Sequence, residues 1–95
     1  MRALPDDVAP YKRTPEFTQD TVPAGLVGEH RTKPGVWGKI VVLEGRLRYH
    51  ILEPAPETVE LDPTRHGVVE PEMAHRVEPV GDVRFYVEFH RAADV

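Results

Sequence analysis

The chain has 95 residues, 40% of them hydrophobic, which is enough for one hydrophobic core and too few for two. The formal net charge is -4 and the 12 lysine and arginine residues form no block, which argues against nucleic-acid or anionic-membrane partners. Cysteine is absent, so disulfides and thiolate metal sites are excluded. Because no apolar run approaches the roughly 20 residues that span a bilayer, we expect a soluble cytoplasmic protein.

The 10 prolines are spread along the chain and disfavour long helices, because each removes a backbone donor and clashes with the preceding turn. Residues 1–21 carry three of these prolines, and we expect an extended N-terminal arm that packs on the rest of the domain. Tyr11 and Phe17 are the apolar side chains that would make this contact. The whole chain, 1–95, is expected to form one domain.

Short segments with strand character follow the arm, separated by turns that contain glycine or proline. The predicted strands are 23–30, 36–44, 46–52, 57–61, 68–70 and 83–89. Gly45 is interpreted as the tight turn of a hairpin between the second and third of these, and 79–82 as a further turn. The last strand alternates Val83, Phe85, Val87 and Phe89 with polar residues, the pattern of a half-buried strand. Such spacing predicts an all-β sandwich or barrel.

The histidines are the residues best suited to binding chemistry in this chain. His66 and His90, in a polar turn and near the C-terminus, are predicted to be solvated, as is His50 on a polar strand face. His30 and His75 differ, because each stands at a strand end beside a proline-containing turn. Two neutral imidazoles and one carboxylate would complete a three-ligand site for Zn, Fe, Ni or Mn.

The third ligand is open between two carboxylates. Glu88, midway along the last predicted strand, is the first choice, and Glu70 ends the strand that precedes His75. Alternatively, the two histidines are hydrogen-bonded in a polar pocket that holds no metal. The residues expected to line the ligand pocket are Trp37, Tyr49, Glu70 and Tyr86.

Three separated blocks of sequence resemble one family. They are His30-x-Thr32-Lys33-x-Gly35-x-Trp37-Gly38-Lys39, Val42-Leu43-x-Gly45-x-Leu47 and Val69-Glu70-Pro71-x-x-x-His75-Arg76-Val77-Glu78. In this order they resemble the small cupin domain found at the N-terminus of some tellurite-resistance TehB proteins and in stand-alone YeaR-like proteins. The resemblance covers most of the chain, from about residue 11 to residue 89.

The resemblance implies a small single-domain cupin, a jelly-roll barrel built as a double-stranded β-helix of antiparallel strands. It places His30 near the first cupin motif and His75 at the histidine of the second. Thr32 stands where the first motif has its second histidine, Trp37 stands near its glutamate, and Met73 lies in the region of the second motif's glycine. The four-ligand cupin site is therefore incomplete.

We accordingly expect a small cupin-type binding protein that holds a divalent metal, a small molecule or an oxyanion, linked to tellurite or other oxyanion stress. The alternative is a metal-dependent enzyme of the oxygenase or isomerase type. The chain has no serine, no phosphate-binding loop and no nucleotide-binding motif, so the methyltransferase activity of TehB proteins is not transferred to it. A homodimer formed through the predicted hairpin is left open.

Overall fold

Two long antiparallel strands form the centre of the structure, a computed structural model that describes residues 1–92. They are β3, Trp37–Ile51, and β6, His75–Ala92. The two strands pair from Trp37 opposite His90 to Ile51 opposite His75. Their side chains alternate between a buried and a more exposed face, as expected for a sheet with one face on the core.

Shorter elements extend this pair on both sides. They are β1 (Val8–Arg13), β2 (Phe17–Thr18), α1 (Ala24–Val27), β4 (Glu57–Leu61) and β5 (Gly67–Val69). Strands β1 and β2 pair with β6, whereas β4 and β5 pair with β3, all antiparallel. The prediction of a small all-β domain is therefore confirmed. No helix within residues 1–92 has the length and apolar character needed to cross a membrane.

The hydrophobic core lies on the inner face of β3 and β6. It is formed by buried residues of β3, β4, β5 and β6 together with Met73: Ile40, Val42, Leu47, Tyr49, Ile51, Val59, Leu61, Val69, Met73, Val77, Val83, Phe85 and Val87. The N-terminal arm contributes Phe17, whose ring packs edge-on against Phe85 with centroids 5.7 Å apart. Tyr11, also expected on the core, is exposed on the edge strand, where the guanidinium of Arg91 lies 4.1 Å from its ring centroid.

The predicted hairpin at Gly45 is wrong, and so is the predicted turn at 79–82. Each segment lies inside a continuous strand and forms a bulge there. Gly45 pairs with Val83 and the next residue, Arg46, pairs with Val80, so two residues of β6 are left without a partner in β3. Gly45 and Gly81 have φ values of 80° and 70°, a conformation that glycine tolerates and that bulges use. The two glycines bend the long strands where sequence patterns suggest chain reversal.

The segment predicted as a short strand, 23–30, contains the short helix α1 instead. The N–H of Leu26 donates to the carbonyl of Pro23, and the N–H of Gly28 donates to that of Ala24. Pro23 occupies the N-cap of α1. The N–H group of this position takes no part in the helix hydrogen bonds, so proline is tolerated there. This one turn carries the chain from β2 to His30.

Candidate functional site

His30 and His75 lie side by side, as an isolated antiparallel bridge between the segment after α1 and the first residue of β6. The N–H of His30 donates to the carbonyl of His75 at 2.8 Å, and the N–H of His75 donates back at 2.9 Å. The two rings meet edge to face, with centroids 5.2 Å apart. Backbone pairing therefore holds two imidazoles together that are 45 residues apart in the sequence.

The ring nitrogens of the pair are in different situations. His75 Nδ1 lies 3.0 Å from the carbonyl oxygen of Met73, and because a carbonyl only accepts, Nδ1 carries the proton. In the neutral ring this leaves His75 Nε2 as a hydrogen-bond acceptor. His30 Nδ1 is buried and has no hydrogen-bond partner among the described residues. Buried polar atoms are usually paired, so an unpaired one requires an explanation.

An apolar cavity of about 260 Å³ lies beside the pair. Its lining comes from the N-terminal arm, α1 and the inner faces of the strands: Thr14, Phe17, Pro23, Gly25, Leu26, His30, Thr32, Gly38, Ile40, Val69, His75, Val77, Val87 and Phe89. This lining contains no lysine, arginine, aspartate or glutamate. The cavity thus offers largely apolar walls with a few polar side chains, two histidines and two threonines, the usual make-up of a small-molecule site.

Burial lowers the pKa of His75, because the charged imidazolium loses its hydration inside the protein. The hydrogen bond to Met73 opposes this shift, and the neighbouring His30 adds to it. His75 is therefore neutral at physiological pH, which is the form that leaves a lone pair on Nε2.

The lowered pKa of His75 predicts a loss of stability on mild acidification. Because the folded state holds the neutral ring, its contribution is present above the unfolded-state pKa, 6.5, and is lost as the pH falls from there through the lower folded-state pKa. One such group contributes a slope of at most about 1.4 kcal/mol per pH unit. Urea unfolding between pH 7.5 and 5.5 should show a steeper decline for the native protein than for His75→Gln.

The variant comparison separates His75 from the other groups that titrate. His66, whose pKa is lowered by partial desolvation of its ring and by the charge of Lys39, is present in both proteins and cancels in the difference. Asp62 and Glu78 also have lowered pKa values, so their effects fall at more acidic pH. Equal slopes for the native protein and His75→Gln would contradict the assignment of a neutral buried His75.

Thr32 fixes the loop that carries His30. Its hydroxyl donates to the carbonyl of Glu70 and accepts from the N–H of Glu72, both at 3.1 Å. Glu72 has a φ of 61°, unusual for a residue with a side chain, and this bond helps to hold it. Sequence reasoning noted Thr32 only as a missing histidine. Its spacing of two residues from His30 was the signal that it shares the site.

Another cleft, of about 190 Å³, adjoins the cavity and shares His30, Thr32 and Phe89 with its lining. Its lining includes three cationic residues beside residues shared with the apolar cavity and two further side chains: Tyr11, Lys12, His30, Arg31, Thr32, Lys33, Val36 and Phe89. Arg31 is already engaged, since its guanidinium contacts Glu53 at 2.6 Å and the carbonyl of Glu72 at 3.1 Å. Positive charge therefore lies outside the apolar cavity and not in its walls.

Glu88, the first choice for a third metal ligand, points away from the two histidines. Its carboxylate lies 2.8 Å from Nε2 of His90, on the opposite face of β6 from Val87 and Phe89. His90, predicted to be solvated, is buried there at 7% exposure, so that prediction is wrong. Strand alternation is the physical reason, since residues 86, 88 and 90 share the face that does not reach the cavity.

Trp37 and Tyr86 lie on this same outer face and do not line the cavity. Trp37 pairs with His90 across the two long strands. The ring of Tyr86 is covered by the guanidinium of Arg13, 4.6 Å from its centroid. These two aromatic side chains therefore pack on the outside of the sheet.

Tyr49 and Glu70 are close to the site without lining the apolar cavity. Tyr49 is fully buried, donates its hydroxyl to the carbonyl of Val68 at 2.9 Å, and lies with its ring centroid 6.0 Å from that of His75. The carboxylate of Glu70 pairs with Arg2 at 3.2 Å, and only its carbonyl faces Thr32. The buried ring of Tyr49 thus packs against the ring of His75.

The other two histidines lie away from the pair. His66 is exposed, as predicted. His50 is half-buried, with Nδ1 3.0 Å from the hydroxyl of Thr58 and Nε2 2.8 Å from the carboxylate of Glu78. This bonding ties together three neighbouring strands, so His50 is less solvated than its polar strand face predicted.

The donor set does not complete a metal centre. Within residues 1–92, no group of three or more histidine, cysteine, aspartate or glutamate side chains is arranged to hold a metal ion. The two imidazoles are one short of the three protein ligands of typical catalytic zinc sites. The chemistry that the described residues supply is hydrogen bonding by two imidazole rings beside an apolar cavity.

Comparison with known proteins identifies the family. The family model that describes the TehB-like domain matches residues 12–87. The chain belongs to this family. The resemblance found in the three sequence blocks is therefore confirmed.

Over 76 residues, this TehB-like domain is 37% identical to TehB of Haemophilus influenzae, described as a probable S-adenosyl-L-methionine-dependent methyltransferase. The match covers 76% of the chain and 27% of that protein, so the chain spans about a quarter of this relative. The crystal structure of TehB from Haemophilus influenzae matches with a TM-score of 0.84 and 32% identity, over 92% of this chain and 32% of that one.

Two further matches extend over nearly the whole TehB-like domain. YeaR of Escherichia coli K12 is 28% identical over 105 residues, which cover 100% of this chain and 87% of that protein. A crystal structure of an Escherichia coli K12 protein matches with a TM-score of 0.86 and 27% identity, over 97% of this chain and 98% of that one. The same architecture therefore occurs in a chain of about this size.

Proposed function

We propose that this TehB-like domain is a binding module for a small molecule that enters the apolar cavity beside His30 and His75. One observation carries the proposal: His30 Nδ1 is buried without a partner, next to a histidine whose Nε2 is left as an acceptor. An unpaired buried polar atom is costly, and a ligand that bonds to it removes that cost. The apolar walls supply area for the remainder of the ligand.

Binding is favoured over catalysis by the side chains at hand. The alternative, a metal-dependent oxygenase or isomerase, would need a third protein ligand that residues 1–92 do not bring to the pair. The methyltransferase description belongs to a protein of which the chain matches 27%, and we assign none of that activity to this domain.

Any role in tellurite or oxyanion stress is, in this proposal, indirect. An oxyanion taken into the cavity would lose its hydration, and the lining has no lysine or arginine to compensate. The lysines near the site, Lys12 and Lys33, line the separate cleft beyond His30. We therefore expect an uncharged molecule, and not tellurite itself, in the apolar cavity.

The test is a fragment screen read by methyl NMR. With isoleucine, leucine and valine methyl groups labelled, cavity ligands should shift the signals of Leu26, Ile40 and Val69, which line the cavity. The variant His30→Ala should weaken these shifts, whereas His66→Ala, at an exposed histidine outside the cavity, should leave them unchanged. Potassium tellurite should leave the three methyl signals in place.

Two results would contradict the proposal. In the first, no fragment shifts the methyl groups of the cavity lining, while labelled methyl groups elsewhere respond. In the second, His66→Ala weakens the shifts as much as His30→Ala does. Either result would mean that the histidine pair does not mark a ligand site.

A further inference from the structure

The polar side chains of the cavity lining are the hydroxyls of Thr14 and Thr32 and the two imidazoles. Both hydroxyls are already used. That of Thr14 donates to the carbonyl of Pro15 at 2.8 Å and accepts from the N–H of Val87 at 3.0 Å, and that of Thr32 holds two backbone groups of the 70–72 loop. Neither hydroxyl has a donor left, so among the side chains that line the cavity the imidazoles are the groups best able to bond both ways to a ligand's polar group.

The two imidazoles require different hydrogen-bonding groups on a ligand. His75 donates from Nδ1 to Met73, so its Nε2 needs a donor from the ligand. His30 Nδ1 has no partner, so this nitrogen is free to carry a proton and donate it. A hydroxyl group suits both histidines, because its oxygen can donate one hydrogen bond, to His75, and accept another, from His30. A carbonyl or ether oxygen only accepts, and it would leave His75 Nε2 unpaired.

The size and charge of the cavity restrict the rest of the ligand. A cavity of roughly 150 Å³ holds benzene, so about 260 Å³ accommodates one ring with small substituents. The lining contributes no lysine, arginine or carboxylate, so a charged group inside would be desolvated without a counter-charge. The complementary molecule is small, uncharged and apolar apart from its hydroxyl.

We infer that the ligand is an uncharged phenol or alcohol about the size of one substituted ring, with its hydroxyl bonded between His30 and His75. This inference rests on the proposed function and names the ligand class of the same cavity. Of the metal, small molecule or oxyanion that the sequence leaves open, the cavity favours the small molecule. The acceptor in this inference is His75 Nε2, since Nδ1 already donates to Met73, and the donor is the imidazole of His30, whose Nδ1 has no partner among the described residues.

A matched series of four compounds tests the inference on the native protein. The series is 4-methylphenol, 4-methylanisole, p-xylene and 4-methylbenzoate, which share one ring and differ in the polar group. Titrations at pH 7.5, followed by the methyl signals of the cavity, should rank 4-methylphenol first. We expect 4-methylanisole and p-xylene to bind about tenfold more weakly, because each leaves a buried nitrogen unpaired. The benzoate should bind most weakly.

Replacement of His75 by phenylalanine tests the role of the acceptor nitrogen. His75→Phe keeps an aromatic ring and removes Nε2, so the phenol should lose its advantage over the anisole while p-xylene still binds. His66→Phe is the control and should keep the native ratio. If His75→Phe does not fold, His30→Phe is used instead, because its ring makes no bond through Nδ1. The phenol should then bind about tenfold more weakly than to the native protein.

The outcomes separate this inference from the proposed function. Tighter binding of p-xylene or 4-methylanisole than of the phenol would overturn the hydroxyl assignment and leave a cavity that binds apolar molecules. Tighter binding of 4-methylbenzoate would also overturn it, and would indicate that Lys12 or Lys33 in the adjoining cleft anchors an anion. If no compound shifts the cavity signals, and the fragment screen also fails, both proposals are rejected.

Discussion

Replacement of Gly45 by alanine is expected to lower the free energy of unfolding by about 3 to 5 kcal/mol, among the largest effects of a single substitution. Gly45 lies at the bulge of β3 with a φ of 80°, which disfavours any residue with a Cβ atom. A Cβ at this position would also collide with the backbone carbonyl of Asp82, which cannot move without disturbing β6. The melting temperature should fall on the order of 20 °C, measured by calorimetry.

Two other glycines provide the controls for Gly45. Gly81 has a φ of 70° but open space around its Cβ position, so Gly81→Ala should cost only about 1 to 2 kcal/mol. Gly25 in α1 has neither constraint, and Gly25→Ala should change stability by less than about 1 kcal/mol. If Gly45→Ala and Gly81→Ala proved equally mild, the close approach of β3 and β6 at this bulge would be contradicted.

Phe85→Ala is the second substitution with a large expected effect, about 3 to 5 kcal/mol. Phe85 is fully buried in the centre of β6, and its ring packs against Phe17 from the N-terminal arm. Truncation removes apolar burial and leaves a cavity that the two long strands cannot close. Urea unfolding monitored by circular dichroism measures the loss.

Tyr11→Ala is the matched control for Phe85. Tyr11 is an aromatic residue of the same arm, but it is 41% exposed and contacts Arg91 at the edge of the sheet. Its truncation should cost under about 1 kcal/mol. A loss at Tyr11 as large as that at Phe85 would mean that the core does not lie on the inner face of β6.

The strand pattern of the sequence predicts the sheet well where alternation is strict. The alternation of Val83, Phe85 and Val87 with polar residues identifies the inner face of β6. At Gly45 and Gly81 the sequence predicts turns and the structure has bulges, because a glycine with positive φ suits a tight turn and a bulge equally well. The turn and the bulge differ only in what the strand pairs with. In a bulge, β3 continues past Gly45 and stays paired with β6.

The candidate site was predicted in part. The sequence predicts His30 and His75 as neighbours, and the structure pairs them in an isolated bridge. The predicted position at a strand end holds for His75, which begins β6, but not for His30, which follows α1. Glu88 was not a consistent choice, since the alternation that puts Val87 inside puts Glu88 outside. The apolar walls and α1 could not be predicted, because they depend on how distant segments pack around the pair.

Nitrogen NMR of the histidine rings tests the central claim most directly. In uniformly ¹⁵N-labelled protein at pH 7.5, long-range ¹H–¹⁵N spectra should show His75 as the neutral tautomer protonated at Nδ1. Adding 4-methylphenol should shift His75 Nε2 and His30 Nδ1 and leave exposed His66 unchanged. A proton on His75 Nε2 in the free protein, or ligand shifts at His66 without shifts at His30 and His75, would contradict the account.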